Sequence, residues 1–130
     1  MLGLLLVTHA PLGAAFLQAV QHVYRAMPER LEAIDVVADQ DLGQVQDLVK
    51  QAIHRLNDGS GVLIMTDVMG GTPSNCCGKV HEAIPVAIIT GVNLPMLLRA
   101  VSYREKDLNE VAELAIAGGQ LGAMRIDEQD

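Results

Sequence analysis

Of the four histidines in the chain, His9 has a distinctive setting: it closes the apolar run Leu2 to Thr8. A histidine at the end of a buried strand can cap or hydrogen-bond a neighbour, or it can present a ring nitrogen as a nucleophile. His22, His54 and His81 fall within helical stretches and read as surface or partly buried side chains. Asp67 ends another apolar run, Val62 to Thr66, and alone would read as a loop cap. The pairing with His9 adds chemistry. A carboxylate near one imidazole nitrogen fixes the tautomer and frees the other nitrogen for attack. Asp67 also opens the loop Asp67-Val68-Met69-Gly70-Gly71-Thr72-Pro73. Gly70 and Gly71 allow backbone N–H groups to converge on an anion, and Thr72 offers a hydroxyl and a helix cap. A simple tight turn would use the same glycines. No Gly-Lys-Ser/Thr follows, so a nucleotide-binding loop is not supported, and no Gly-x-Ser-x-Gly elbow is present. A nucleophilic His, an orienting Asp and an anion nest together suggest phosphoryl transfer through phosphohistidine. That reaction needs positioning and charge stabilisation more than further reactive groups. No metal cluster is apparent, and no cofactor is implied.

Residues so far apart in sequence need a fold that gathers strand ends. The segments Leu2 to Thr8, Leu31 to Val37, Val62 to Thr66 and Ile84 to Thr90 read as strands. Helical patterns follow from about Leu12 to Met27, after a cap at Asp39 or Asp41, from Pro73 to about Ala83, and from Pro95 to Tyr103. The second of these helices carries Leu42, Val45, Leu48, Val49, Ala52, Ile53 and Leu56 on one face, and Asn57 to Gly61 form a turn. A last helix runs from about Leu108 to Ala117, with Asp107 and Glu110 resembling a capping box and Gly118 as its stop. Leu121 to Ile126 reads as a C-terminal edge strand.

Strand-then-helix units in this order predict an α/β fold: a single doubly wound domain over residues 1–130, with a mostly parallel sheet and helices on both faces. In such sheets ligands bind beyond the carboxyl ends of the strands, where the strand order reverses. An order of 2-1-3-4 sets His9 and Asp67 across that point. Pro11, Pro73 and Pro95 each stand where a helix begins, so three helix N-termini are expected to offer free N–H groups to an anion there.

Composition narrows the partners. The formal net charge of -7 argues against nucleic acid and against an anionic membrane surface, and favours a protein partner with a basic face. Cys76 and Cys77 are adjacent, so they neither staple distant segments nor have zinc-site spacing; they read as small buried residues in a reducing compartment. Leu2 to Val7 is too short for a signal-peptide core and has no basic residue before it, and no stretch approaches a membrane span. The expected location is cytoplasmic.

Three motifs carry a family likeness. Leu4-Leu5-Leu6-Val7-Thr8-His9, Asp67-Val68-Met69-Gly70-Gly71-Thr72-Pro73-Ser74-Asn75 and Gly91-Val92-Asn93-Leu94-Pro95-Met96-Leu97 resemble, in order and at family spacing, the mannose-family enzyme IIA (EIIA) domain of the bacterial phosphoenolpyruvate-dependent sugar phosphotransferase system. The resemblance implies a homodimer, often with the final strand exchanged between subunits. It implies a phosphotransferase in which His9 accepts phosphate from HPr and donates it to an enzyme IIB. Asp67 would hydrogen-bond the His9 ring, while Thr72 and the backbone around Gly70 and Gly71 would hold the phosphoryl oxygens. This chain has Ala10 where many members have Gly, Met69 where some have Trp, and Thr72 where some have Ser. Thr keeps the hydroxyl. No IIB domain follows in this sequence, so the recipient is expected to be a separate chain, with the membrane reached only through a permease complex. A regulatory phosphoprotein without a permease would use the same His9 chemistry. A non-catalytic anion-binding module would leave His9 unmodified.

Overall fold

The computed structural model of the chain describes residues 1–68 and 83–127. Four parallel strands form one sheet: β1 (Gly3–His9), β2 (Leu31–Val36), β3 (Val62–Thr66) and β4 (Val86–Ile89). Their order is β2-β1-β3-β4, as expected from the sequence. Four helices accompany them among the described residues: α1 (Leu12–Tyr24), α2 (Leu42–Leu56), α3 (Leu94–Ser102) and α4 (Leu108–Leu121). The helix expected after Pro73 lies outside the described residues, as do Cys76, Cys77 and His81.

Strand alternation divides the core into two layers. Leu4 and Leu6 of β1, with Leu63 and Met65 of β3, pack against Val20 of α1, Met96, Leu97 and Ala100 of α3, and Val111 and Ala115 of α4. Leu5 and Val7, with Val62 and Ile64, pack against Val45, Val49, Ala52, Ile53 and Leu56 of α2. Both faces of the central strands are covered, which is why they read as unbroken aliphatic runs and not as alternating ones. Leu42 and Leu48, placed on the buried face of α2 by spacing, are instead exposed.

Element ends follow local chemistry. Asp41 caps α2 by accepting from Gln44 N–H (3.1 Å), and Asp107 caps α4 by accepting from Glu110 N–H (2.9 Å). α1 stops at Tyr24, three residues earlier than its pattern suggests, because Arg25 takes a left-handed conformation (φ 60°). Gly59 and Gly61 supply the positive φ of the turn before β3.

The expected C-terminal strand needs correction. α4 does not stop at Gly118; it continues to Leu121, and residues 123–126 do not take strand conformation. Gly118, which looked like a stop, and its neighbour Gly119 permit close packing instead. A Cβ on Gly118 would sit 2.9 Å from Arg99 Cδ, and one on Gly119 would sit 3.0 Å from Met96 Cε. Their absence lets α4 settle directly on α3.

Arg104, just past α3, is almost fully buried. Its guanidinium donates to the carbonyls of Leu2 (2.6 Å), Arg30 (2.8 Å) and Glu29. It ties the starts of β1 and β2 to the α3–α4 connection, at the sheet edge opposite His9. Arg104→Met should leave these carbonyls, of which that of Leu2 is buried, without their charged donor. The expected loss is about 2 kcal/mol of unfolding free energy in urea titration.

Candidate functional site

The central strands β1 and β3 lie side by side, with Val7 opposite Thr66, and their carboxyl ends carry His9 and Asp67. Chain order reverses here: β1 continues outward to β2, and β3 outward to β4. The two residues meet across this point. His9 N–H donates to Asp67 Oδ2 (2.9 Å), and His9 Nδ1 lies 2.8 Å from the same oxygen. Asp67 Oδ1 accepts from Val68 N–H at 2.9 Å. The Asp67 side chain is 9% exposed, whereas that of His9 is 50% exposed.

Burial would raise the Asp67 pKa, but hydrogen bonds from the His9 backbone, the His9 ring and the Val68 backbone outweigh it. They hold the carboxyl below the ordinary carboxylate range. An ionised carboxylate only accepts hydrogen bonds. The facing Nδ1 must therefore carry a proton, and in the neutral ring the lone pair belongs to Nε2. The ring lines a cleft of about 520 Å³ whose other walls are Ala10 and the loop Val36 to Gln40. That loop is tightly turned: Val37 N–H donates to Gln40 Oε1 (3.0 Å), and Asp39 is left-handed (φ 63°).

The expected ring of open helix N-termini needs correction. At α1, Gly13 N–H and Ala14 N–H donate to the Asp35 carboxylate at 2.7 and 3.2 Å. At α3, Met96 N–H donates to Asn93 Oδ1 at 2.9 Å. Two of the three helix starts are thus already capped by side chains. Pro95 lies in the first turn of α3 as expected, and Pro11 immediately precedes α1. Gly70, Gly71, Thr72 and Pro73 lie outside the described residues. His22 and His54 are exposed on helices away from this pair.

Residues 3–116 match the family model described as PTS system fructose IIA component, EIIA-man. The chain belongs to this EIIA family. Among curated relatives, a sorbose-specific EIIA component of Lacticaseibacillus casei is 33% identical over 96 residues, covering 73% of this chain and 68% of the relative. The mannose-specific EIIAB component of Escherichia coli K12 is 29% identical over 97 residues, covering 72% of this chain. This EIIA chain aligns with only 30% of that longer protein. The fold agrees as well. A phosphotransferase system EIIA component from Streptococcus agalactiae superposes with a TM-score of 0.89 at 20% identity, covering 99% of this chain and all of the other. A mannose/sorbose-specific IIA subunit from Enterococcus faecalis gives 0.87 at 21% identity, covering 99% and 97%. None of the described helices of the EIIA chain is long and apolar enough to cross a membrane.

Proposed function

We propose that this EIIA component is a phosphocarrier of sugar uptake that accepts a phosphoryl group from phospho-HPr on Nε2 of His9 and passes it to an enzyme IIB. The observation that carries this reading is the Asp67 carboxylate, held by both the backbone N–H and Nδ1 of His9 at the carboxyl edge of the sheet. In the forward step the Nε2 lone pair attacks phosphorus. The P–N bond of the donor phosphohistidine breaks, and its electron pair returns to the donor ring. Nδ1 keeps its proton, so the phosphorylated His9 ring carries a positive charge that the Asp67 carboxylate faces directly. Gly70, Gly71 and Thr72 would hold the phosphoryl oxygens through backbone N–H groups and a hydroxyl. Transfer to enzyme IIB reverses the same bond changes on a new acceptor. The sugar would never contact this domain. The protein would work in the cytoplasm and approach the membrane only through a permease complex.

The test is incubation with phosphoenolpyruvate, enzyme I and HPr, followed by intact mass under alkaline conditions, which preserve phosphohistidine. Uptake of one phosphoryl group is the expected result, and no uptake overturns the reading.

The active unit would be a homodimer. Support comes from the C-terminal segment, where Met124 is 64% exposed and Ile126 is 75% exposed. Exposed apolar side chains in this segment, in a chain whose edge strand β4 pairs with β3 alone among the described residues, favour association with a second copy. A chain ending at Gly122 keeps all of α4 and should sediment as a monomer where the full chain sediments as a dimer. An unchanged dimer from the shortened chain would contradict this assembly.

A further inference from the structure

The loop that carries His9 is anchored from a residue outside it. Asp67 holds the backbone N–H of His9, and the Val36 carbonyl accepts from Ala10 N–H at 2.9 Å. The first turn of α1 has no side-chain cap of its own, because Pro11 stands at the N-cap position. Asp35, at the carboxyl end of β2, supplies the cap: its two carboxylate oxygens accept from Gly13 and Ala14 N–H. Gly13 makes this approach possible. A Cβ there would lie 2.7 Å from Asp35 Oδ1 and 2.9 Å from Ala33 Cβ. The link between His9 and α1 is only Ala10 and Pro11, so a shift of the first helical turn reaches the ring.

We propose that Asp35 is a positioning residue for phosphoryl transfer at His9. By pinning the first turn of α1 to β2 it sets the height and orientation of the imidazole against Asp67. The proposal rests on the phosphocarrier reading for its kinetic consequence, and on geometry alone for its effect on the ring. Asp35 acts through its bonds to Gly13 and Ala14. Its carboxylate also fills the N-terminus of α1, so that helix end does not compete for the transferred anion.

The experiment compares Asp35→Ala, Asp35→Asn and Asp107→Ala. The last removes an equivalent helix cap from the start of α4, whose other end lies at the first turn of α3, where Gly122 meets Pro95. At saturating phospho-HPr, Asp35→Ala should take up phosphate at least about tenfold more slowly than the native chain, with half-saturation by the donor unchanged. Asp35→Asn keeps a capping oxygen and should recover to within about threefold. Asp107→Ala should match the native rate. In the unphosphorylated proteins, ¹⁵N spectra of the His9 ring should show one neutral tautomer, protonated at Nδ1, in the native chain and a mixture in Asp35→Ala. These spectra test Asp35 even if the native chain proves not to accept phosphate. Should Asp35→Ala fail to fold, Gly13→Ala pushes the first turn of α1 off both the Asp35 carboxylate and Ala33 Cβ, and the same slowing and tautomer mixture are expected. A native rate with native ring signals in the Asp35→Ala chain, or an equal slowing in Asp107→Ala, would reduce Asp35 to a helix cap and overturn the proposal.

Discussion

A His9→Ala chain incubated with phosphoenolpyruvate, enzyme I and HPr is expected to gain no mass, whereas the native chain gains one phosphoryl group. The effect should be complete because the variant lacks the Nε2 atom proposed to form the new bond. Neither remaining described histidine has the same setting. His22 and His54 lie exposed on helices α1 and α2, whereas His9 has the Asp67 carboxylate against its ring. Without a carboxylate to fix the tautomer, a surface imidazole is divided between two neutral forms and lacks a facing charge for the cationic phosphorylated state. The substitution should cost little stability. The ring is half exposed, and the backbone N–H of residue 9 still donates to Asp67. Circular dichroism and the thermal midpoint should therefore stay close to native while uptake disappears. Phosphate found on the His9→Ala chain would move the site to another histidine.

The fold was legible because its strands announce themselves. β1 and β3 are covered on both faces, so Leu4 to Val7 and Val62 to Met65 needed no alternation to be read as buried strands. The alternation of strands and helices pointed to a parallel doubly wound sheet, and the order 2-1-3-4, which the structure has, places His9 and Asp67 at one edge. What remained hidden depends on contacts between elements that the sequence does not make neighbours. Asp35 is one of two acidic residues in the Leu31 to Val37 segment, two positions before its end. It becomes a helix cap only because β2 lies beside β1 and meets the start of α1. Arg104 reads as an ordinary surface cation after a helix, yet the fold closes three backbone carbonyls around it. Gly118 and Gly119 were ambiguous for another reason. Glycine serves both as a helix stop and as a gap for a close neighbour, and only the proximity of Arg99 and Met96 separates the two. The sequence also overstated the openness of the helix ends: it marks the prolines at the helix starts but not the Asp35 and Asn93 oxygens that occupy their N–H groups.

Asp67→Asn should fold as the native chain does and accept phosphate from HPr one to two orders of magnitude more slowly. The amide preserves size, and its oxygen can still take the His9 backbone N–H. Two things change at the ring. The amide has a donor as well as an acceptor, so it no longer requires a proton on Nδ1, and the unreactive tautomer with Nε2 protonated becomes accessible. The negative charge facing the ring is also lost, and with it the stabilisation of the positive charge that develops as Nε2 bonds to phosphorus. A hydrogen bond to a charged group contributes about 1.5 to 3 kcal/mol. Lost from the transition state alone, that is about tenfold to over a hundredfold in rate. The slowing should appear in the first-order step at saturating phospho-HPr, because Asp67 is buried behind the ring and offers little surface to a docking partner. Stability supplies a second readout. The folded-state pKa of Asp67 is depressed, so its ionised form contributes stability above the ordinary carboxylate pKa of about 3.9, and that contribution fades as pH falls through the folded value. Native and Asp67→Asn chains should therefore differ most in urea midpoint near neutral pH and converge in acid. Wild-type phosphorylation rates in Asp67→Asn would show that Asp67 is a loop cap and nothing more, and would leave the His9 ring without the partner that selects its reactive nitrogen.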